Sequence, residues 1–321
     1  MERIGVLTSG GDAPGMNACV RAVVRTALAH GVSALGIRRG YAGMIDGEFE
    51  LLTSRAVGGI ARWGGTILQT ARSMEFKTPE GFAQAVENVH RSGVEGLVVI
   101  GGDGSLHGAR ELHKAGIAAV GVPGSIDNDI CGTEMSIGVD TASNTILEAI
   151  DKIKDTASSH ERAFVIEVMG RRSGYLALAA GIGGGAEIVI VPEHPTDMDK
   201  ILGEMKAAHD RGKPHFIVVV AEGATPTATE IRDAVAAAHS GFDARLTVLG
   251  HVQRGGSPTA ADRLLATKLG TGAVDALLAG KSGVMVGIRA NETVLVDFDE
   301  VLVCNRPADA DLVRLDEIIR L

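Results

Sequence analysis

Short apolar runs rich in β-branched residues alternate with longer amphipathic segments along the whole chain, and this alternation restricts the fold more than any other feature. Runs such as residues 96–100 and 216–221 are almost wholly apolar, which is typical of parallel strands covered on both faces. Segments such as residues 16–30 and 259–278 have the length of helices. The pattern predicts an α/β protein with two doubly wound domains and largely parallel sheets, for which 321 residues suffice.

The turns that follow the predicted strands are the first places to search for chemistry. We expect strands at residues 4–8, 34–37, 96–100, 118–122, 163–168, 187–191, 216–221, 246–249 and 284–288. We expect helices at residues 16–30, 79–92, 143–156, 198–211 and 259–278. In open α/β sheets, ligands bind beyond the carboxyl ends of the strands. No repeat, low-complexity tract or Pro/Ser-rich linker marks a domain boundary.

Charge and composition exclude several classes of protein. The net charge of −9 and the ten aromatic residues (seven Phe, two Tyr, one Trp) argue against a nucleic-acid partner, which needs a basic face or stacking platforms. The start of the chain predicts no signal peptide, and no apolar stretch is long enough to predict a membrane span. Three widely spaced cysteines, Cys19, Cys131 and Cys304, predict reduced thiols in a cytoplasmic protein.

Glycine is abundant: 43 of the 321 residues are glycine, or about 13%, against a usual fraction of about 7%. A coding bias explains such a surplus, and so does a need for backbone to approach a ligand closely. Residues 8–17 and 101–108 are both glycine-rich and both lead from a strand into a helix. Such loops favour anions such as phosphate, although each alone is also compatible with a tight turn that holds no ligand. Neither has the full sequence of a Walker A or dinucleotide-binding loop.

Three aspartates in the turns that follow predicted strands are candidates for chemistry. Asp103 lies among glycines where a carboxylate would repel phosphate unless a divalent cation lay between them, so it is a candidate Mg²⁺ ligand or, alternatively, a helix N-cap. Asp127 and Asp129 follow another strand and suit a general base and a metal or positioning group in phosphoryl transfer. Taken singly, the latter two also fit a solvated turn.

Arginines stand beside glycines in further turns. Arg72, Arg171, Arg172 and Arg254 all follow predicted strands or glycine-rich turns. Such arginines can grip phosphate oxygens in a bidentate manner and stabilise charge in the transition state. Each alone is compatible with an ordinary surface ion pair, but their recurrence in several turns favours a phosphate site.

Five of these turns, at residues 8–12, 101–105, 123–129, 168–171 and 250–257, together resemble those of bacterial ATP-dependent 6-phosphofructokinases. The resemblance implies a glycolytic phosphotransferase that phosphorylates the 1-hydroxyl of fructose 6-phosphate, with Mg²⁺ and ATP, in a cytoplasmic homotetramer. It also implies a larger ATP-binding domain (1–138 plus 253–303) and a smaller domain for fructose 6-phosphate (139–252 plus 304–321). ADP and phosphoenolpyruvate are the effectors implied.

The resemblance assigns roles to individual residues. Asp127 would be the base, with Arg72 and Arg171 on the transferred group, Asp129 and Ser125 beside them and Asp103 on the metal. ATP would contact Gly11, Arg72, Ser73, Gly102, Asp103, Gly104, Ser105 and Gly108. The sugar phosphate would contact Ser125, Ile126, Asp127, Arg162, Met169, Gly170, Arg171, Glu222, Arg245, His251, Val252, Gln253 and Arg254. Of these, Arg162 and Arg245 would reach it from a neighbouring subunit.

Two further sets of residues bear on the donor and on regulation. Pyrophosphate-using relatives carry Asp at Gly104 and Lys at Gly124, so two glycines favour ATP. The resemblance places effectors at Arg21, Arg25, Lys154, Gly185, Glu187, Arg211 and Lys213, for which a solvated basic face is the plainer alternative. Lys154 replaces a usual Arg and lacks its fork, and Ser125 replaces a usual Thr but keeps the hydroxyl.

Three other functions stay open at this point. A pyrophosphate-dependent phosphofructokinase would use the same chemistry. An NAD or lipid kinase shares the residue 101–104 turn but does not require residues 127–129 or 251–254. A noncatalytic regulatory subunit or nucleotide sensor is expected to have lost the base or the metal ligand, whereas all three aspartates are present.

Overall fold

Eleven strands and eleven α-helices make up the part of the chain that this computed structural model describes, which is residues 1–160, 162–238 and 241–319. The strands are β1 Arg3–Ser9, β2 Ser33–Ile37, β3 Phe49–Leu51, β4 Gly96–Gly101, β5 Ala118–Pro123, β6 Arg162–Val168, β7 Ile188–Ile190, β8 Phe216–Ala221, β9 Asp243–Val248, β10 Val284–Arg289 and β11 Glu292–Asp297. The helices are α1 Met16–Ala29, α2 Gly40–Asp46, α3 Pro79–Ser92, α4 Asp103–Lys114, α5 Val139–Ser158, α6 Tyr175–Gly183, α7 Met198–Asp210, α8 Ala228–Ala238, α9 Ala260–Leu278, α10 Phe298–Val303 and α11 Ala310–Ile319.

The chain divides into two units. Unit 1 comprises Met1–Thr141 and Arg254–Arg306, and unit 2 comprises Ala142–Gln253 and Pro307–Leu321. Unit 1 holds a seven-stranded sheet in the order β11-β10-β5-β4-β1-β2-β3. Its five inner strands are parallel, and β3 and β11 pair antiparallel at the two edges. The sequence did not predict these two edge strands, because both are short of buried apolar residues.

Helices cover both faces of the sheet in unit 1. On one face, Leu97 and Val99 of β4 belong to a core cluster to which α2, α3, α4 and α10 contribute side chains. On the other face, α9 packs against α1 and contacts β5 and β10. Every residue of β4 is buried, as expected for a parallel strand covered on both sides. The helix ends follow local rules, since Thr78 accepts a hydrogen bond from Gly81 and Pro79 opens α3.

Unit 2 holds a smaller sheet in the order β7-β8-β6-β9, with every pair parallel. The predicted α/β class with two largely parallel sheets is therefore confirmed. Strand β9 begins at Asp243, three residues before the predicted start, because its first half alternates exposed and buried residues as an edge strand does. The longest uncharged apolar stretch of the sequence, residues 173–186, contains the nine-residue helix α6. Among the described helices, none has the length and apolar character that crossing a bilayer requires.

The cysteines differ from the prediction. Cys19 is a buried free thiol on α1, and burial raises its pKa. Cys131 and Cys304, which were predicted to be reduced, form a disulfide across 173 residues of sequence, with their Cα atoms 6.1 Å apart. The prediction failed because sequence separation says nothing of distance, and the fold brings the segment after β5 beside the segment after α10.

Phe298 shows how unit 1 depends on packing at the middle of its sheet. Its ring is 1% exposed and faces Gly121 of β5, where an added Cβ would lie 2.8 Å from the ring. We expect Phe298→Ala to lower the free energy of unfolding of unit 1 by about 3–5 kcal/mol, because it leaves a cavity that the rigid sheet cannot fill.

Urea unfolding followed by the fluorescence of Trp63, the single tryptophan, measures this loss. Leu295→Ala is the matched control, since Leu295 is 47% exposed and its loss should cost less than about 1 kcal/mol. Equal losses for the two variants would contradict the packing account.

Candidate active site

Three neighbouring parallel strands of unit 1 end side by side. Ser9 at the end of β1 pairs with Gly101 at the end of β4, which in turn pairs with Pro123 at the end of β5. Gly124 N donates to Gly101 O at 2.9 Å. A Cβ at Gly101 would collide with Ser9 O and with the hydroxyl of Ser105, so glycine is required where these backbones meet. The β1, β4 and β5 turns, residues 10–15, 102–105 and 124–129, therefore lie at one edge of the sheet.

The β1 turn is held close to Arg254. A side chain at Gly11 would collide with the guanidinium of Arg254, the last residue of the 3₁₀ helix Gly250–Arg254 that precedes α9. Gly10 has φ +84°, a conformation that favours glycine, and its carbonyl accepts a hydrogen bond from Thr70 at 2.6 Å. Unit 1 thus brings a guanidinium against a glycine-rich loop, as a phosphate site requires.

The β4 turn leads into α4 with its aspartate exposed. Gly102 is the N-cap residue, Asp103 is the first residue of the helix, and no side chain caps this helix. The alternative of Asp103 as an N-cap is therefore wrong. Its carboxylate is 3.8 Å from His107 Nε2. An added Cβ at Gly104 would meet nothing within 4 Å, so the space above this turn is open.

Two of the predicted nucleotide-site glycines also have packing reasons. A Cβ at Gly108 would lie 2.5 Å from the ring of Tyr41, whose hydroxyl donates to Ser105 O at 2.6 Å. A Cβ at Gly124 would lie 3.1 Å from Met16 Cε. Gly124 therefore faces the core, and only Gly104 of the two donor-related glycines borders open space.

The β5 turn gathers a compact polar cluster. Ser125 Oγ donates to Asp129 Oδ1 at 3.1 Å and accepts from Asp127 N at 3.3 Å, so one hydroxyl ties both aspartates together. Asp127 is 3% exposed. Asn128 between them has φ +50°, and its side chain donates to Glu134 O and accepts from Ser136 N. These bonds fix the backbone from which the two carboxylates project.

The carboxylates suit a metal held mainly by a phosphorylated ligand. Within the described ranges, no cluster of three or more His, Cys, Asp or Glu side chains could hold an ion alone. Asp103 is an exposed carboxylate at the amino end of a helix, and Asp129 lies on the neighbouring β5 turn. Mg²⁺ is usually bound by one or two carboxylates together with phosphate oxygens, and this donor set fits that pattern.

Unit 2 gathers a second set of predicted residues where β6, β8 and β9 end. Met169 N donates to Gln253 Oε1 at 3.1 Å, and Arg171 N donates to Glu222 Oε1 at 2.9 Å. Gln253 is fully buried and its amide also donates to Gly250 O. Gln253 therefore positions the turn that begins at Met169. Ile126, a predicted sugar-site residue of unit 1, is also buried. His251 and Val252 are exposed.

Arg171 has an unusual backbone for an arginine. Its φ is +53°, and Gly170 before it has φ +142°. A Cβ at Gly223 would collide with Arg171 O, so the turn after β8 must carry glycine there. Below this turn, burial raises the pKa of Glu167, and the negative charge of Glu222 raises it further. The backbone of Arg171 therefore lies at an edge of the sheet that also bears the carboxylate of Glu222.

Two predicted substrate residues lie elsewhere in unit 2. Arg162 is the first residue of β6 and pairs in register with Asp243, the first residue of β9. The Asp243 carboxylate is 3.6 Å from Arg162 Nε and accepts a hydrogen bond from Arg245 at 2.9 Å. Both arginines thus stand at the amino half of the sheet, and the fold of unit 2 does not bring them to the edge that carries Met169 and Glu222.

The predicted effector residues of unit 2 form a connected group. Lys213 Nζ donates to Glu187 at 2.9 Å, and Lys154 Nζ donates to Gly184 O at 2.9 Å and to Gly185 O at 3.3 Å. Burial lowers the pKa of the adjacent His215. The negative charge of Glu187 opposes this shift, whereas the positive charges of Lys154 and Lys213 lower the pKa further. Arg211 follows α7 and is exposed, while Arg21 and Arg25 lie one turn apart on α1 of unit 1.

Sequence reasoning missed several residues that position these groups. Tyr41, Asn128 and Arg306 were not predicted, although each contacts a turn that was. Asp262 of α9 was missed as well, and its buried carboxylate accepts hydrogen bonds from Gly138 N at 2.9 Å and Thr141 N at 2.8 Å. Burial raises the pKa of Asp262. An asparagine between two aspartates hints at a positive φ, but the other contacts are distant in sequence and leave no local signal.

Comparisons with known proteins point to one family. Residues 3–277 match the family described as phosphofructokinase. The chain is 55% identical over 322 residues to a Thermus thermophilus protein named ATP-dependent 6-phosphofructokinase 1, covering 100% of both chains. It is 54% identical over 317 residues to a Bacillus cereus protein named ATP-dependent 6-phosphofructokinase, covering 99% of both.

A solved structure supports the same assignment. The phosphofructokinase of Saccharomyces cerevisiae superposes with a TM-score of 0.89 at 38% sequence identity, over 99% of this chain and 50% of that chain. This chain thus spans half the length of the yeast chain it matches. With the family match over most of its length and relatives more than half identical from end to end, the chain belongs to the phosphofructokinase family.

Proposed function

We propose that this chain is an ATP-dependent 6-phosphofructokinase, which transfers the γ-phosphoryl group of ATP to the 1-hydroxyl of fructose 6-phosphate and releases fructose 1,6-bisphosphate and ADP. The observation that carries the proposal is the Ser125-linked pair of Asp127 and Asp129 beside the open, glycine-lined β4 turn of unit 1. Relatives that are 53–55% identical over the full length bear this name. We propose that the reaction belongs to glycolysis and takes place in the cytoplasm.

Asp127 is the proposed general base. It accepts the proton of the 1-hydroxyl as that oxygen attacks the γ-phosphorus. The hydrogen bonds of Ser125 and Asn128 hold its backbone, so little reorganisation is needed when the sugar binds. Asp103 and Asp129 would hold Mg²⁺, which when bound neutralises charge on the phosphates. Arg72 and Arg171 are the proposed partners of the transferred phosphoryl group.

The binding residues divide between the two units. We propose unit 1 as the ATP-binding domain, using Gly11, Ser73, Gly102, Gly104, Ser105 and Gly108, and unit 2 as the domain for fructose 6-phosphate, using Met169, Gly170, Glu222, His251 and Val252. Arg254 of unit 1 joins the sugar site. The amino-half position of Arg162 and Arg245 supports their contribution to a neighbouring subunit's site, and hence a homotetramer.

The first prediction concerns the base. Asp127→Asn keeps the size of the side chain but cannot accept the proton, so we expect kcat to fall by about 10²–10⁴-fold with KM for fructose 6-phosphate changed by less than about threefold. Steady-state kinetics measure both. Asp151→Asn on the exposed side of α5 is the matched control and should leave both unchanged. Turnover that survives in Asp127→Asn would remove this residue from the mechanism.

The second prediction concerns the phosphoryl donor. Gly104→Asp introduces a carboxylate into the open space above the β4 turn without any collision in the protein, so the variant should fold normally. We expect it to lower kcat/KM for ATP at least about tenfold, because the carboxylate occupies and charges the space that the nucleotide needs.

Gly203→Asp is the control, because Gly203 lies on helix α7 and an added Cβ there also meets nothing within 4 Å. Thermal unfolding of both variants verifies that they fold. Full activity with ATP in Gly104→Asp would show that the nucleotide does not occupy the space above the β4 turn.

The third prediction concerns regulation. We propose that ADP and phosphoenolpyruvate act at Arg21, Arg25, Lys154, Gly185, Glu187, Arg211 and Lys213. Lys213→Met removes the cation that pairs with Glu187, so the response of KM for fructose 6-phosphate to either effector should fall at least about fivefold. Activity without effectors should be retained. Lys281→Met, an exposed position of unit 1, is the control, and an undiminished response in Lys213→Met would contradict this site.

A further inference from the structure

A disulfide ties the segment just after the β5 turn to the far end of unit 1. Cys131 lies two residues after Asp129, and Cys304 directly follows α10. Between them the chain builds helices α5 to α10, which include the Ala142–Gln253 part of unit 2, and the last two strands of unit 1. The bond therefore joins a segment next to the proposed base to the last residues of unit 1.

Arg306 reinforces the same connection. Its Nη1 donates to the carbonyl oxygens of Ile130 at 3.0 Å and Thr133 at 2.8 Å, and its Nη2 donates to Glu134 O at 2.8 Å. Its Nη1 also lies 3.4 Å from Asn128 Oδ1. One guanidinium thus binds three carbonyl groups within residues 130–134, and the disulfide at Cys304 holds the segment that carries this guanidinium.

The disulfide is accessible from outside unit 1. Cys304 is exposed and Cys131 is partly exposed. Both line an open surface pocket of about 460 Å³, which has room for a small molecule. Cys19, in contrast, is fully buried. Because thiol–disulfide exchange needs access of the attacking sulfur to a disulfide sulfur, we expect attack at Cys304, the more exposed of the two cysteines.

The pocket carries a local positive charge in a chain whose net charge is −9. Arg289 and Arg306 line it together with a single carboxylate, that of Glu134, whose Oε1 accepts a hydrogen bond from Ala290 N at 3.0 Å. Arg289 is 52% exposed, and the carboxylate of Glu300 lies 3.7 Å from its guanidinium. Two guanidiniums favour a ligand that bears carboxylates, and they stabilise a thiolate released beside them.

We propose that Cys131 and Cys304 form an exchange site for a low-molecular-weight thiol that carries carboxylates, and that the state of the site sets turnover through residues 130–134. The small thiolate attacks Cys304 Sγ, the S–S bond breaks, and Cys131 leaves as a thiolate. A second small thiolate then attacks the small-molecule sulfur of the mixed disulfide and releases Cys304. Two small thiols become one small disulfide, and their two protons end on the two cysteines.

Counting thiols tests the site itself. The protein is equilibrated with oxidised or with reduced glutathione as the probe, quenched in acid, denatured and titrated. With three cysteines in the chain, we expect one thiol, Cys19, after oxidation and three after reduction. Mass spectrometry should find the peptides of Cys131 and Cys304 joined only in the first sample. Three thiols in both samples, or an oxidised sample in which glutathione itself is attached, would overturn the proposal.

The rate of reduction tests the ligand class. We compare glutathione with uncharged 2-mercaptoethanol at equal thiolate concentration. Arg289→Gln should slow reduction by glutathione at least about threefold and leave reduction by 2-mercaptoethanol unchanged, because only the former carries carboxylates. Equal effects on both thiols, or none, would overturn recognition by charge. Arg306 is left intact, since it holds residues 130–134.

Turnover tests the coupling between the redox state of the two cysteines and catalysis. This part of the proposal rests on the proposed function, whereas the thiol count is independent of it. Loss of the covalent tie loosens the segment that follows Asp127, so the reduced protein should turn over fructose 6-phosphate at least about twofold more slowly than the oxidised protein. The double variant Cys131→Ser/Cys304→Ser should match the reduced protein in both buffers. Equal turnover in the two states would overturn the coupling. No turnover in either state would contradict the proposed function, while the thiol count still decides the site.

Discussion

The pairing of β1, β4 and β5 is the constraint on which the candidate site of unit 1 depends. These central strands run parallel and in register, so Ser9, Gly101 and Pro123 end at one level. The close approach at Gly101 leaves no room for a side chain, and this closeness sets the glycine-rich turns against one another. The β4 turn, which carries one aspartate, and the β5 turn, which carries two, therefore lie at the same edge of the sheet, where we propose that they act on one phosphate group.

Support for these turns comes from distant parts of unit 1. Arg254 reaches the β1 turn, Tyr41 supports the β4 turn through Ser105, and Arg306 with Cys304 holds the segment after the β5 turn. Such contacts add positional precision rather than new chemistry. In unit 2, Gln253 does the same for Met169 from a buried position.

Much of the fold could be predicted from sequence, and the reason is physical. Buried parallel strands such as β4 and β8 are continuous apolar runs, and helices such as α3 begin at a Thr-Pro signal, so both types are visible locally. The edge strands β3 and β11 were missed because partly exposed strands lack such runs. The site turns were predicted because glycine and aspartate cluster in sequence. Arg306 and the disulfide were not, because they join segments about 170 residues apart.

The glycines show what a sequence pattern can predict about a site and what it cannot. Part of the surplus was predicted to serve phosphate binding and part to reflect a coding bias, yet Gly108 and Gly124 face Tyr41 and Met16, whereas Gly104 borders open space. A composition cannot distinguish a glycine that admits a ligand from one that admits a neighbouring side chain. Only the direction of the missing Cβ makes that distinction, and it identifies Gly104 as the position most informative about the donor.

The most direct measurement of the central claim is the product formed from fructose 6-phosphate and Mg²⁺ with ATP or pyrophosphate supplied in parallel, followed by phosphorus NMR. The proposed arrangement of Asp103, Asp127 and Asp129 predicts fructose 1,6-bisphosphate and ADP with ATP, and no product with pyrophosphate. Fructose 1,6-bisphosphate formed only with pyrophosphate would contradict the assigned donor, and no transfer from either would contradict the assignment of these turns as a phosphoryl-transfer site.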